Sequence, residues 1–592
     1  MLCSSVASFL AFALVGGASH AFAATAEQWK ERTIYQIITD RFALPTSIDQ
    51  STSCNVTDQT FCGGTWSGIT AMLDYITSMG FTAIWISPVH KNYDGPRTAY
   101  GDAYHGYWVT DIGALNDRFG TADDLKTLVA EVHRRGMLIM VDIVVNHVAS
   151  VTTTPTDYSQ YYFKDASKYH PYCPIQYGDG HSEQQCWMGD TKVALMDVNT
   201  ENPDVVSSYN SWIKDFVHEY SIDGLRLDAA KHIRGDFWPG FCQSGGVFCM
   251  GEVYEFEAAS AARWQYNPVQ PSAVSSATGG SGSDPVGMDS ILNFPLYNAL
   301  VQAFGITGQS TDGTLDLTVL ERKVNDMNGA FADVGVLGIF LENHDVPRWS
   351  NISVDPQSLY NALTFLWMTD GIPIAYYGIE QGFHGGPDPS NREALWPSSY
   401  ANTTTVQILT KLNQLRNWMI ITAKQRLSKR VEEGIAWQDN EKVYKTHHQE
   451  TTFSKDADVR SSYISTPPVI VGATKEAMAI TRGGVIGVVT NIGSPPQNIS
   501  FPVLTPYERS VATTDIFSCV QYAVGSDGIV SVEYSKGGRP IILVPSVWLP
   551  GSGFCGFKAD SNALIGVETD GAYKCGVSVV NLGLLVLLML VM

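Results

Sequence analysis

From position 33 onward, short and almost unbroken apolar runs alternate with longer stretches whose apolar residues recur at helical spacing. The apolar runs cover 33–38, 83–89, 138–145, 224–227, 247–251, 290–294, 336–341 and 372–376. Amphipathic stretches at 69–79, 122–135, 203–220, 357–368 and 406–419 lie between or after them. Strands apolar on both faces, with helices between them, predict a parallel sheet covered on both sides. Eight such units predict closure into a (β/α)8 TIM barrel. A doubly wound open sheet is the competing architecture, but no Gly-rich phosphate turn follows the first run.

Two breaks divide the chain. Between the third run and the next helix lies 147–201, rich in Tyr, Asp, Ser and Pro and holding two cysteines. A long structureless loop is rare in a compact domain, so this segment is expected to be an inserted subdomain. Near 425 the rhythm changes, and runs at 477–481, 485–490 and 539–544 predict an antiparallel C-terminal domain. The segment 258–284, with its Ala, Ser and Gly, reads as an extended loop. The expected fold class is therefore α/β, a (β/α)8 barrel with a subdomain after strand three and a C-terminal antiparallel β-sandwich. Its expected domains are the barrel at 24–146 and 202–424, the subdomain at 147–201 and the C-terminal domain at 425–556.

The chain ends and the composition add a compartment. Residues 6–15 are almost all apolar, and Ala21-Phe22-Ala23 offers a small-x-small cleavage site, so 1–23 reads as a secretory signal peptide. The segment 557–592 ends in an uncharged apolar tail from 577, short for a membrane span of roughly 17–25 residues. It reads as a GPI-attachment signal with Ser561 and Asn562 as candidate attachment sites. Eight cysteines remain between the two signals: Cys54, Cys62, Cys173, Cys186, Cys242, Cys249, Cys519 and Cys555. An even set suits an oxidising compartment, and short-range pairing is plausible for 54–62, 173–186 and 242–249, leaving 519–555, although sequence does not settle connectivity. In an exported chain the sequons at Asn55, Asn351, Asn402 and Asn498 become glycosylation candidates. The formal charge of -21 disfavours nucleic acid and is compatible with a neutral polymer. The protein is expected to be a monomer at the cell surface that meets the membrane only through a lipid anchor.

In a (β/α)8 barrel, functional side chains sit at the C-terminal ends of strands. Acidic residues there are Asp142, Asp228, Glu252 and Asp345. A carboxylate at the end of an apolar run is costly unless paired or used. Retaining glycoside chemistry uses one protonated and one ionised carboxyl, about 5–5.5 Å apart. Arg226 lies two residues before Asp228, so both point the same way along a strand, and the cation favours an ionised nucleophile. Glu252 has no cation beside it in sequence, and desolvation would suit it to be the acid.

Four ordered segments carry a resemblance: 142–147 (Asp-Ile-Val-Val-Asn-His), 224–232 (Gly-Leu-Arg-Leu-Asp-Ala-Ala-Lys-His), 251–254 (Gly-Glu-Val-Tyr) and 340–345 (Phe-Leu-Glu-Asn-His-Asp). With them the chain resembles the secreted fungal α-amylases of the α-amylase clan of glycoside hydrolases, from about position 29 to 555. The resemblance implies Asp228 as nucleophile, Glu252 as general acid/base and Asp345 as the third acid. It implies sugar contacts by Arg226, His147 and His344, an aromatic platform at Tyr107 flanked by His105 and Trp108, acceptor-side contacts at Lys231 and His232, and donor-side contacts at Asp388 and Arg392. It also implies a Ca²⁺ site made by the Asn146 side chain, the Asp197 carboxylate and the backbone carbonyls of Gln184 and His232. Hard oxygen ligands of this kind suit Ca²⁺. Two features depart from the secreted amylases. The loop after Glu252 is longer and lacks their cysteine, with Cys242 in its place, and the anchor signal is added. Anchored members of this group include 4-α-glucanotransferases acting on wall α-glucan. The expectation is thus a retaining endo-acting α-1,4-glucan hydrolase, with such a transferase as the alternative and a catalytically silent glucan-binding protein disfavoured by the complete set of carboxylates.

Overall fold

A computed structural model describes residues 24–49, 51–266, 287–305, 315–432, 463–464, 466–507 and 511–559, with side chains of 426–432 excepted. The expected signal peptide, the attachment candidates Ser561 and Asn562, and most of the loop after Glu252 lie outside the described residues.

Each of the eight apolar runs contains a strand: β1 Ile34–Ile37, β2 Ala83–Ile86, β3 Leu138–Ile143, β4 Gly224–Leu227, β5 Phe248–Gly251, β6 Ser290–Ile291, β7 Gly338–Phe340 and β8 Ile372–Tyr376. They pair in parallel in the order β6-β5-β4-β3-β2-β1-β8-β7. A parallel bridge between Leu292 and Gly338 joins β6 to β7 and closes the ring. The Asn293 N–H donates to the Gly338 carbonyl there at 2.8 Å. A Cβ on Gly338 would lie 2.5 Å from Met250 Sδ, so a larger residue at this seam would displace the Met250 side chain. Seven of the eight strands are buried at every position, and β3 is buried at all but its first residue, which explains their unbroken apolar sequence.

Several surrounding helices start where side chains can satisfy their free amides. Thr121 and Asp124 form a capping box for helix Ala122–Arg134. Asn202 and Asp355 cap helices Pro203–Tyr220 and Pro356–Met368, each with proline in the first turn. The helix expected at 69–79 is two helices, Trp66–Ala71 and Leu73–Ser78, separated at Met72. The segment 258–284 is not a loop throughout: Ala258–Ala261 and Ala262–Trp264 are helical. Helices Trp238–Gly245, Phe294–Phe304 and Thr318–Ala330 were not expected from the pattern. The last barrel helix, Thr404–Glu432, runs past the boundary expected at 424.

The long connection after β3 is a small subdomain. Its strands His147–Ser150, Ala194–Asp197 and Met188–Gly189 form one antiparallel sheet, beside the short helix Gly180–Gln185. The C-terminal domain is antiparallel throughout. Six strands run in the order Val469–Ala473, Ala477–Arg482, Val485–Thr490, Ile541–Pro545, Ala512–Asp515 and Gln521–Ala523. The pair Ser500–Leu504 and Ile529–Glu533 lays Phe501, Val503, Val530 and Val532 against them as a second layer. Asn361 fastens this domain to the barrel, accepting the Thr490 N–H at 2.8 Å and donating to the Gly538 carbonyl at 2.7 Å.

Candidate active site

The strands deliver their acids to one mouth. Asp228 directly follows β4 and Glu252 directly follows β5, and the register pairs Leu227 with Gly251, so the two acids stand opposite one another. Asp142 lies within β3, and Asp345 comes shortly after β7. Arg226, third in β4, organises three of these acids. Its Nη1 donates to Asp142 Oδ1 at 2.9 Å and to Asp228 Oδ1 at 2.7 Å, while its Nη2 lies 3.0 Å from Glu252 Oε2. Arg226 and Asp142 have no exposed side-chain surface, whereas Asp228, Glu252 and Asp345 are 11%, 16% and 32% exposed. Asp142 is thus a support, and the other three face the mouth.

This geometry corrects the expected electrostatics. Glu252 does have a cation beside it, contributed from the neighbouring strand, and it also accepts the Ala229 N–H at 2.9 Å. Sequence adjacency missed this because a guanidinium has two arms and β4 pairs with β5. Arg226 therefore does not distinguish the nucleophile from the acid. Burial pushes the Asp228 carboxyl well above the ordinary range; Arg226 opposes this, and the neighbouring Glu252 and Asp142 charges add to it. Burial likewise raises Asp142 to about 6 against the pull of Arg226. Burial and mutual repulsion thus both act to raise the Asp142 and Asp228 carboxyls, against the pull of the shared guanidinium.

The expected platform, Tyr107, is anchored to the same network. The Tyr107 hydroxyl donates to Asp142 Oδ2 at 2.8 Å, and its ring stacks on His344 at 4.9 Å and 3°. His105 accepts the Tyr107 N–H at 3.0 Å and meets the Trp108 ring edge-on at 4.9 Å. His147 Nε2 lies 3.1 Å from the Tyr107 carbonyl. His344 Nε2 lies 3.2 Å from Asp345 Oδ2. Burial, with Arg226 and Arg392 nearby, pushes His344 well below the ordinary histidine range, so the ring is neutral. Its Nδ1 is then an acceptor, met by the Gln36 amide at 2.9 Å. Arg392 donates to the His344 carbonyl at 3.0 and 3.1 Å and lies 3.0 Å from Asp388 and 3.6 Å from Asp345. The expected donor-side residues therefore form one connected group at the β7–β8 rim.

At the opposite rim, Lys231 and His232 lie on the turn Ala230–His232 after β4. Lys231 is engaged by Glu183 and Glu255, and His232 Nδ1 lies 2.8 Å from the Glu183 carbonyl. Asn146 lies just beyond β3, and the next residue, His147, pairs with Asp197 across the subdomain sheet. Asp197 is buried and bonded to His170 Nδ1 at 2.6 Å; burial raises its carboxyl to about 7 against the pull of His170. Asn146 Oδ1 is buried without a hydrogen-bond partner. Among the described residues, no group of three or more His, Cys, Asp or Glu side chains is placed to hold a metal. The three short-range pairings, 54–62, 173–186 and 242–249, are present as disulfides, and the remaining cysteines form 519–555. Asn55, Asn351, Asn402 and Asn498 are all exposed.

Sequence reasoning missed several participants. Trp85, near the end of β2, donates from Nε1 to Asp142 Oδ2 at 3.1 Å. Gln36 is a polar residue inside the apolar first run, and that interruption was a readable sign. Glu183 and Glu255 carried no comparable signal, because neither ends an apolar strand.

The family follows from this geometry together with the comparisons. The model of the α-amylase catalytic domain matches residues 36–466, and that of α-amylase domain C matches 470–563. An α-amylase of Saccharomycopsis fibuligera is 38% identical over 526 residues, covering 88% of this chain and 92% of that protein. α-Amylase 2 of Schwanniomyces occidentalis is 37% identical, covering 90% of this chain and 93% of that protein. The solved α-amylase of Malbranchea cinnamomea superposes with a TM-score of 0.76 at 34% identity, covering 90% of this chain and all of that one. The chain belongs to the α-amylase family of glycoside hydrolases, a family that acts on α-glucans.

Proposed function

We propose that the chain is a retaining, endo-acting hydrolase of α-1,4-glucans, with Asp228 as nucleophile, Glu252 as acid/base and Asp345 holding the sugar at the cleavage point. The observation that carries this reading is the single Arg226 guanidinium joining Asp228 to Glu252 across the paired ends of β4 and β5. Glu252 gives a proton to the glycosidic oxygen as Asp228 attacks the anomeric carbon. The leaving chain departs with a new hydroxyl, and the donor remains as a glycosyl ester on Asp228. Glu252, now ionised, takes a proton from water; the resulting attack breaks the ester and restores the original configuration. Polar rims at β4–β5 and at β7–β8 suit a glucan that extends in both directions, as endo action needs. A 4-α-glucanotransferase would share every step up to the ester.

The test is incubation with maltopentaose, resolving products by length and measuring new reducing ends. Shorter products with a matching rise in reducing sugar are expected; products longer than the substrate with little new reducing sugar would overturn hydrolysis in favour of transfer.

We further propose a bound Ca²⁺ held by Asn146, Asp197 and the carbonyls of Gln184 and His232. The partnerless Asn146 oxygen supports it, since a buried orphan acceptor costs about 1–3 kcal/mol unless a cation or water meets it. A hard cation accepts such amide, carboxylate and carbonyl oxygens. It would tie the barrel to the subdomain and supply no step of the chemistry. Export and lipid tethering remain part of the proposal, supported by the sequence of 1–23 and 557–592 and by the four disulfides. Release from cells by a phosphatidylinositol-specific phospholipase tests the tether, and failure of release from intact cells overturns it.

A further inference from the structure

Three charged side chains converge at the β4–β5 rim. Lys231 Nζ lies 3.2 Å from Glu183 Oε2 and 3.3 Å from Glu255 Oε1. They come from three separate elements: helix Gly180–Gln185 of the subdomain, the turn after β4 and the loop after β5. Glu183 is held from two further directions. Its Oε1 accepts the Gly178 N–H at 2.7 Å, and its carbonyl lies 2.8 Å from His232 Nδ1. The turn that carries Lys231 is itself tied to the acid, since the Ala229 N–H donates to Glu252 Oε2 at 2.9 Å and the Ala230 N–H to the Glu252 carbonyl at 3.0 Å. Lys231 and Glu183 are 14% and 13% exposed, so the pair is held in place yet open to solvent.

The place of this group in the cleft follows from the barrel order. Asp345, Arg392 and Asp388 occupy the β7–β8 rim, across the ring from β4 and β5. Glu252 protonates the oxygen that leaves, so the rim beyond it faces the departing sugar. A sugar hydroxyl both donates and accepts, an ammonium only donates and a carboxylate only accepts. A carboxylate–ammonium–carboxylate row therefore matches adjacent hydroxyls, each accepting from Lys231 and donating to an acid through charge-assisted bonds.

We propose that Glu183, through its pair with Lys231, is an acceptor-side specificity residue: it fixes the ammonium and binds the sugar beyond the cleaved bond, and so sets how often a sugar rather than water intercepts the glycosyl ester. This rests on the glycosidase reading above. Glu183 acts on occupancy of the acceptor position, whereas Glu252 and Asp228 act on the bond.

The test compares the full chain with Glu183→Gln and Glu183→Asp on two substrates. Maltopentaose places sugars beyond the cleaved bond; an aryl maltotrioside, cleaved at its aryl group, does not. Glu183→Gln is expected to raise KM for maltopentaose about tenfold, the size of one lost charge-assisted bond, with a smaller change for the aryl substrate. Any transfer products should fall relative to hydrolysis, Glu183→Asp should recover part of the loss, and Glu183→Gln should add little in a Lys231→Ala background. Unchanged KM for maltopentaose overturns the proposal. Equal losses on both substrates also overturn it, because a merely structural role predicts them. If the unaltered chain cleaves neither substrate, it is the glycosidase reading that fails.

Discussion

Replacing Asp142 by Asn exchanges one carboxylate oxygen for an amide nitrogen and removes a negative charge from a fully buried position. Its Oδ2 accepts from Trp85 Nε1 at 3.1 Å, Tyr107 OH at 2.8 Å and Arg226 Nη1 at 3.1 Å, while Oδ1 accepts from Arg226 Nη1 at 2.9 Å. An Asn can keep its oxygen toward Trp85 and Tyr107, but its NH₂ then faces the guanidinium, donor against donor. Breaking a buried ion pair costs about 3–5 kcal/mol. Arg226 retains Asp228 at 2.7 Å and Glu252 at 3.0 Å, so the loss should lie near the lower end. A melting temperature lower by several degrees is expected. The charge change acts on the chemistry with a definite sign. The Asp142 charge helps to raise the Asp228 carboxyl, so its removal lowers it. The nucleophile must be ionised, and the acidic limb of kcat/KM should therefore move to lower pH. The rate itself should fall about 10–100-fold, as Arg226 and Tyr107 lose their shared anchor. The assay is the pH profile of kcat/KM on maltopentaose, with melting measured in parallel. An acidic limb that stays in place or moves to higher pH would refute the shared-charge argument, whatever the stability shows.

Glu252→Gln should lower kcat by about 10²–10⁴-fold while malto-oligosaccharide binding, measured by calorimetry, persists; near-normal turnover would remove Glu252 from the acid/base role. A chelator should lower the melting temperature, because an ion that binds only the folded state at about 100 times its Kd contributes about 2.7 kcal/mol, and an unchanged melting temperature argues against the calcium site. Stability should rise as pH falls from about 8 to 6.5. Burial raises Asp40 and Glu342 from 3.8 and 4.5 to about 7 each, so the folded state binds their protons first and their contribution is lost as pH rises through 7. Buried His90, lowered from 6.5 to about 3, together with His105 and His344, titrates the other way and removes stability only below about 6.5. Melting temperatures that fall between pH 8 and 6.5 would contradict this balance.

The barrel was legible because burial on both faces leaves its strands no choice but unbroken apolar sequence. The runs overshot at the mouth, where 83–89 and 138–145 exceed Ala83–Ile86 and Leu138–Ile143. Val89, Val144 and Val145 are buried there without belonging to the ladder. The C-terminal domain was less legible for the opposite reason. Ser500–Leu504 and Ile529–Glu533 alternate buried with exposed positions over only five residues each, a pattern too short to stand out. In the site, acids ending apolar strands were readable one by one. The partners that join them were not: Arg226 meets Asp142 across 84 positions, and Glu183 reaches Lys231 from a subdomain whose chain path no local pattern reveals.

One further consequence comes from the strand register. Because Leu227 pairs with Gly251, Asp228 and Glu252 leave adjacent parallel strands at matching heights. Adjacent strands lie about 4.7–4.9 Å apart, close to the about 5–5.5 Å that separates the two carboxyls of a retaining enzyme. Inversion needs about 6.5–9.5 Å, a gap that adjacent strands in this register do not provide but a skipped strand would. The pairing of β4 with β5 in this register thus brings the two acids to a spacing that suits retention. Arg226 preserves that spacing by holding one acid on each arm. The same rigidity leaves the carboxylates unable to choose between water and sugar for the second step. The proposed place of that choice is the rim, where Glu183, Lys231 and Glu255 meet on elements outside the strand ladder.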